Sequence, residues 1–155
     1  MKKEVVELEN GLRQVTTFYD DGKTPKEVYT IDKNDKRQGL YVRYYENGNH
    51  AVKCTYKENI RDGLYKEFYE NGKDKIKCTY KEDIRDGLYE VFYENGKHKV
   101  KCTYNGRRDG LYEEFYENGK HKIKCTYKAG ELDGPYEEFY ENGKHKIKCT
   151  FKVYG

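Results

Sequence analysis

The chain has 155 residues, 38% charged and 15% aromatic, and a mean hydropathy of −1.23. Leu, Ile, Val and Phe together number 28, too few for a conventional two-layer core, while 18 tyrosines argue against a disordered chain. Its 31 basic and 28 acidic residues nearly cancel to +3, which removes the strong charge expected of a nucleic-acid binder.

The first residues, Met1-Lys2-Lys3-Glu4-Val5-Val6-Glu7-Leu8-Glu9, place acidic side chains where an export signal needs an apolar stretch. No window approaches the length of a membrane-spanning apolar run. A cytoplasmic location is expected. Residues 1–38 read as a degenerate N-terminal repeat or cap, because Phe18-Tyr19-Asp20-Asp21-Gly22 looks like an eroded copy of Phe68-Tyr69-Glu70-Asn71-Gly72.

Residues 39–155 read as one continuous repeat array. Gly39-Leu40-Tyr41-Val42-Arg43-Tyr44-Tyr45-Glu46-Asn47-Gly48 returns as Gly63-Leu64-Tyr65-Lys66-Glu67-Phe68-Tyr69-Glu70-Asn71-Gly72, and again from Gly87, Gly110 and Gly134. The copies are spaced by 24 residues, with one interval of 23, and Cys54, Cys78, Cys102, Cys125 and Cys149 keep the same phase. Inside each copy the apolar period is two, and Asn-Gly between such runs predicts a hairpin with a two-residue type I′ turn. A turn at Asn95-Gly96 sets Glu94 opposite Lys97, Phe92 opposite Lys99 and Glu90 opposite Lys101. It sets Tyr93 opposite His98, Val91 opposite Val100 and Tyr89 opposite Cys102. One face then carries tyrosine, aliphatic and cysteine side chains. The other mixes Leu88 and Phe92 with a Glu–Lys lattice that fixes register. Short polar links such as Lys81-Glu82-Asp83-Ile84-Arg85-Asp86-Gly87 suit an antiparallel meander and leave no room for crossover helices. The expected fold is all-β: an elongated antiparallel hairpin array of five regular hairpins plus the degenerate one, about eleven strands.

The unit Gly-Leu-Tyr-x-x-Phe-Tyr-Glu-Asn-Gly-Lys, over roughly residues 39–151, resembles the variant class of the MORN repeat. That variant occurs in many bacterial proteins, a number of them described as antitoxins. The resemblance implies stacked β-hairpins forming a curved antiparallel sheet, with no catalytic site. It further implies a protein-interaction or scaffold module, antitoxin-like in one form. The alternative it implies is a peripheral module on membrane lipid, although the glycine pattern departs from that of the classical MORN repeat.

Two tyrosine columns are the candidate partner-binding residues: Tyr41, Tyr65, Tyr89, Tyr112 and Tyr136, and then Tyr45, Tyr69, Tyr93, Tyr116 and Tyr140. Their rings form the thin core and line an aromatic groove with phenolic hydrogen-bonding groups for a protein partner. His50, His98, His121 and His145 form another column, with Asp74 in the remaining place. Equivalent positions two strands apart are about 9–10 Å distant, too far for a shared metal, so no metal or cofactor is expected and the histidines cap the tyrosine face near the turns. The same spacing excludes disulfides between adjacent repeats and leaves the cysteines as small buried hydrophobes. Five identical copies of a reactive thiol site argue against catalysis. Lys97, Lys99 and Lys101 form a basic stripe, but Glu90 and Glu94 neutralise it, so no nucleic acid is expected. The last strand, with Lys144, Lys146 and Lys148, offers an edge through which a homodimer can form.

Overall fold

The computed structural model describes residues 2–153. Segments such as Lys101-Cys102-Thr103-Tyr104 alternate polar and apolar residues and are rich in β-branched and aromatic types, which favours a pleated, half-buried strand. The N-terminal part forms β1 (Lys3–Glu7), β2 (Arg13–Phe18) and β3 (Pro25–Ile31), with a single 3-10 turn at Glu9–Gly11 between the first two. The repeats then supply β4 (Arg37–Tyr44), β5 (His50–Lys57), β6 (Ile60–Phe68), β7 (Asp74–Lys81) and β8 (Ile84–Phe92). They continue with β9 (His98–Asn105), β10 (Arg107–Phe115), β11 (His121–Lys128), β12 (Glu131–Phe139) and β13 (His145–Phe151). Strand order is chain order throughout an open 13-stranded sheet, as short hairpin connections require. The all-β hairpin array is therefore the fold, with thirteen strands where about eleven are expected: β2 and β3 form the degenerate hairpin and β1 precedes it. Among the described residues no helix is long and apolar enough to cross a membrane.

Two compact units divide the chain. The first runs to Asp74 and takes up Tyr80–Ile84; the second holds Lys75–Thr79 and continues from Arg85. In the first, Tyr41, Val52 and Cys54 are buried with Tyr29, Tyr56 and Tyr65 packed on them. Val15, fully buried, and Phe18 extend burial into the N-terminal hairpins. In the second, Cys102, Tyr112 and Cys125 are buried beneath Tyr89, Tyr104, Tyr127 and Tyr136, with Val100 and Ile123 beside them.

The hairpin tips differ from the two-residue turn expected at Asn-Gly. The Tyr93 N–H donates to Lys97 O (2.8 Å) and the Gly96 N–H to Tyr93 O (2.9 Å), so Glu94-Asn95-Gly96 is a three-residue loop. Only the glycine of Asn95-Gly96 takes positive φ, at 88°, the geometry of a type I turn closed by a glycine bulge. The same two bonds recur at Tyr45, Tyr69, Tyr116 and Tyr140. Beyond the loop the expected register holds: Tyr89 opposes Cys102, Glu90 opposes Lys101 and Val91 opposes Val100. Next to the loop it slips by one residue, so Phe92 opposes His98 rather than Lys99. Glu94 lies in the loop and Lys97 closes it, so neither belongs to a cross-strand lattice.

True two-residue turns lie at the other end, in the links. Glu58 and Asn59 have φ of 51° and 69°, and Glu82 and Asp83 of 51° and 66°. The shorter repeat interval falls here too, with Gly106 alone between paired Asn105 and Arg107. After the link at Gly106 the register breaks again: Arg108 opposes Tyr104, but Tyr112 opposes Cys102, so the extra residues around Asp109-Gly110 bulge out, and similar breaks follow the links into β4, β6 and β12. The Thr103 hydroxyl donates to Asp109 O inside that bulge, and Thr55 does the same to Asp62 O at 2.5 Å. A Cβ on Gly63, whose φ is 104°, would stand 2.7 Å from Thr55 Oγ1. That contact explains a glycine in the middle of a strand.

Candidate interaction face

The first tyrosine column is core rather than open groove. Tyr41 and Tyr112 are 8% and 7% exposed, and Tyr65, Tyr89 and Tyr136 are half-buried. Each ring meets a second aromatic ring following the Cys-Thr pair of a neighbouring strand: Tyr65 on Tyr80 at 5.4 Å, Tyr89 on Tyr104 and Tyr112 on Tyr127 at 5.5 Å, all edge-on. An arginine column covers these pairs. Arg61 lies 4.3 Å from the Tyr80 centroid, Arg85 4.6 Å from Tyr89 and Arg108 4.7 Å from Tyr112. Such cation–π contacts contribute about 0.5–2 kcal/mol each, depending on desolvation. The arginines escaped the sequence reading, although Arg-Asp-Gly-Leu-Tyr recurs at 61–65, 85–89 and 108–112. Burial pushes the phenols of Tyr65 and Tyr136 up to about 12 and the Cys125 thiol up to about 11. These thiols stay protonated and are poor nucleophiles.

The second tyrosine column clamps hairpin to hairpin at the tips. Tyr45 Oη donates to Phe68 O (2.6 Å), Tyr93 Oη to Phe115 O (2.6 Å) and Tyr116 Oη to Phe139 O (2.7 Å). Asn47, Asn95 and Asn118 use their amides in the same way, donating to the glutamate carbonyl of the next tip. The side-chain carbonyl of each also accepts the N–H two residues on. The hydroxyls that the sequence offered to a partner are, at these positions, bonded within the array. Tyr69 is half-buried and Tyr140 is 51% exposed.

The histidines lie on the phenylalanine side and do not cap the tyrosine face. The slip at the tip turns His98 onto Phe92 at 4.7 Å and toward Phe115 at 6.3 Å, and its Nε2 meets Glu90 Oε2 at 2.6 Å. His121 repeats this with Phe115, Phe139 and Glu113, and His145 with Phe139 and Glu137. The bond from His145 holds the Glu137 carboxyl below its ordinary range. Glu90 therefore faces Lys101 in register while its carboxylate bonds His98. The same slip lays Lys99 over the Tyr93 ring, at 5.8 Å, which divides the expected lysine stripe. Among the described residues no group of three or more His, Cys, Asp or Glu side chains is placed to hold a metal ion.

What this face leaves open is leucine. Leu40 and Leu64 in the first unit are each 49% exposed, and Leu88 and Leu111 in the second are 44% and 47% exposed. Single exposed apolar residues are ordinary, but within each unit the same residue stays exposed in two successive repeats. In the first unit Leu40, Leu64 and Phe68 line a cleft of about 280 Å³ together with His50, Lys53, Lys66, Cys54 and Thr55. Period-two alternation assigns these leucines a face without saying what covers it, so the sequence alone does not mark them as open.

The sequence profile of the MORN repeat variant matches residues 37–58, 61–82, 85–105, 108–129 and 132–152. No curated protein matches the chain. Each matched segment begins two residues before the bulge glycine and ends at a link turn or just after a Tyr or Phe that follows Cys-Thr, so the profile follows the hairpins seen in the fold. MORN repeats are non-catalytic modules generally involved in protein or membrane-lipid interaction. With five hairpins matched across most of its length, the chain belongs to the MORN repeat variant family.

Proposed function

We propose that the chain is a non-enzymatic protein-interaction module that docks its partner on the leucine–phenylalanine face. The supporting observation is the contrast between columns: Leu40, Leu64, Leu88 and Leu111 stay about half exposed, while the tyrosines of the same repeats pack or bond inward. Repeat arrays gain affinity by presenting many small equivalent contacts on one surface. Neutralisation of a toxin in a bacterial cytoplasm is one form this activity takes, as the family resemblance implies.

The test is affinity capture from the native cell with three baits: wild type, Leu64→Ser/Leu111→Ser, and Tyr93→Phe/Tyr116→Phe. Retention by wild type and by the tyrosine variant, with loss by the leucine variant, supports docking on the leucine face. Loss with the tyrosine variant alone, while its circular dichroism matches wild type, moves the site to the tyrosine columns. Flotation with phosphatidylserine vesicles at about 0.15 M salt decides the lipid alternative. Co-flotation together with no captured protein would overturn the interaction reading.

A further inference from the structure

The cleft between Leu40 and Leu64 differs in charge from the corresponding places in the second unit. There, the second residue after the leucine, or after Pro135, is Glu90, Glu113 or Glu137, each bonded to a histidine. In the first unit those positions are Val42 and Lys66. Val42 offers His50 no carboxylate, and His50 packs edge-on between Tyr44 and Phe68. Lys66 meets Asp74 at 3.4 Å, in the place where the other repeats pair glutamate with histidine, so the sign of the pair is reversed. Both side chains stay partly exposed, and the Lys66 ammonium also lies 5.4 Å from the Phe68 ring. Lys53 is exposed and stands opposite Val42 on one side and Lys66 on the other, not opposite a carboxylate. The apolar side chains of Leu40, Leu64 and Phe68 thus share one cleft with His50, Lys53 and Lys66.

We infer that this cleft docks an acidic amphipathic segment of a protein partner, an apolar side chain seated on the leucines and flanking carboxylates on Lys53 and Lys66. The inference rests on the protein-interaction function proposed for the chain and adds the chemical class of the segment. Lysine is a compact, mobile donor suited to carboxylates that arrive in varied geometry, and a partly exposed pair such as Lys66–Asp74 exchanges partners cheaply. The cleft sits at the small end of ligand-binding sizes, which fits one or two side chains. A flat anionic vesicle instead draws on a broad basic surface, whereas Lys53 and Lys66 border a single cleft of about 280 Å³.

The experiment is fluorescence anisotropy on the full chain with a labelled Asp-Glu-Leu-Phe-Glu-Asp peptide at about 0.15 M salt. Comparators are Lys-Lys-Leu-Phe-Lys-Lys and Asp-Glu-Ser-Ser-Glu-Asp. The variant Lys66→Glu/Asp74→His installs the glutamate–histidine pair that the chain already folds around at Glu113 and His121. Saturable binding of the acidic apolar peptide is expected, at least about tenfold weaker for this variant and for Leu64→Ser. Lys101→Gln, in the second unit, should change it by less than about twofold. Equal binding by the variant, equal binding of the lysine peptide, no saturation below about 1 mM, or association confined to phosphatidylserine vesicles would each overturn the inference. A native partner that needs the leucines but ignores Lys66→Glu/Asp74→His would leave the interaction reading standing and remove this one.

Discussion

Cys102 and Cys149 share the local sequence Lys-Cys-Thr, yet the first is 3% exposed and the second lies open to solvent. The difference comes from neighbours. Cys102 is opposed by Tyr89 on one side and Tyr112 on the other, while Cys149, on the last strand in the sheet order, is opposed by Tyr136. Burial also raises the thiol pKa of Cys54, Cys102 and Cys125, which lowers the fraction of reactive thiolate at neutral pH. With Ellman's reagent at pH 8, one thiol of the folded chain should react quickly and be lost in Cys149→Ser. The remaining four, reached only through local opening, should react at least about a hundredfold more slowly. Two or more fast thiols in the native protein would mean that the ring-covered cysteine column is not closed.

Each hairpin is shaped at its ends by glycine, and the glycines are not equivalent. Gly39 and Gly63 occupy the same place in successive repeats at φ of 79° and 104°, but a Cβ meets nothing within 4 Å at Gly39 and Thr55 Oγ1 at 2.7 Å at Gly63. Gly39→Ala should cost about 1–2 kcal/mol from the backbone alone. Gly63→Ala should cost roughly 1 kcal/mol more, since Thr55 is held by its bond to Asp62 O. Adding Thr55→Ala should recover part of that excess, so a double-mutant cycle in chemical denaturation should show favourable coupling. Additive costs would place the bulge elsewhere. These elements also mark where the sequence could and could not be read. Phase alone gave the pairing of Tyr89 with Cys102 and Val91 with Val100, because both lie on regular strand far from any loop. The side taken by His98 was hidden, since Asn-Gly serves a two-residue turn and a three-residue bulged loop alike, and one residue of slip exchanges the faces. The open face was hidden for another reason: Leu88 and Tyr89 are neighbours of similar hydrophobic weight, and the cover over tyrosine forms only when the two strands of a repeat come together, Arg85 and Tyr104 closing on Tyr89.

At the scale of the whole chain, each unit relies on its own layer of phenols and thiols, so pH acts on both with one sign. In the folded protein Tyr65 and Tyr136 are held up to about 12, against an ordinary 10.0, and Tyr41 and Tyr112 are raised further by burial and by bonds to Glu27 and Glu114. Cys125 is raised from 9.0 to about 11. A group with a raised folded pKa contributes its full stability below the unfolded value and loses it as pH climbs toward the folded value, because the unfolded chain sheds the proton first. From these groups the guanidinium midpoint should be flat up to about pH 9 and fall between about pH 9 and 12, the thiols acting first and the phenols after them. Tyr112→Phe should flatten the upper part of that fall, and Cys125→Ala the lower part. Phenolate absorbance at 295 nm should rise late for the native chain and near the ordinary tyrosine pKa once it is unfolded. A midpoint that stayed level through this range would show that the tyrosine–cysteine layer is not what closes the repeats.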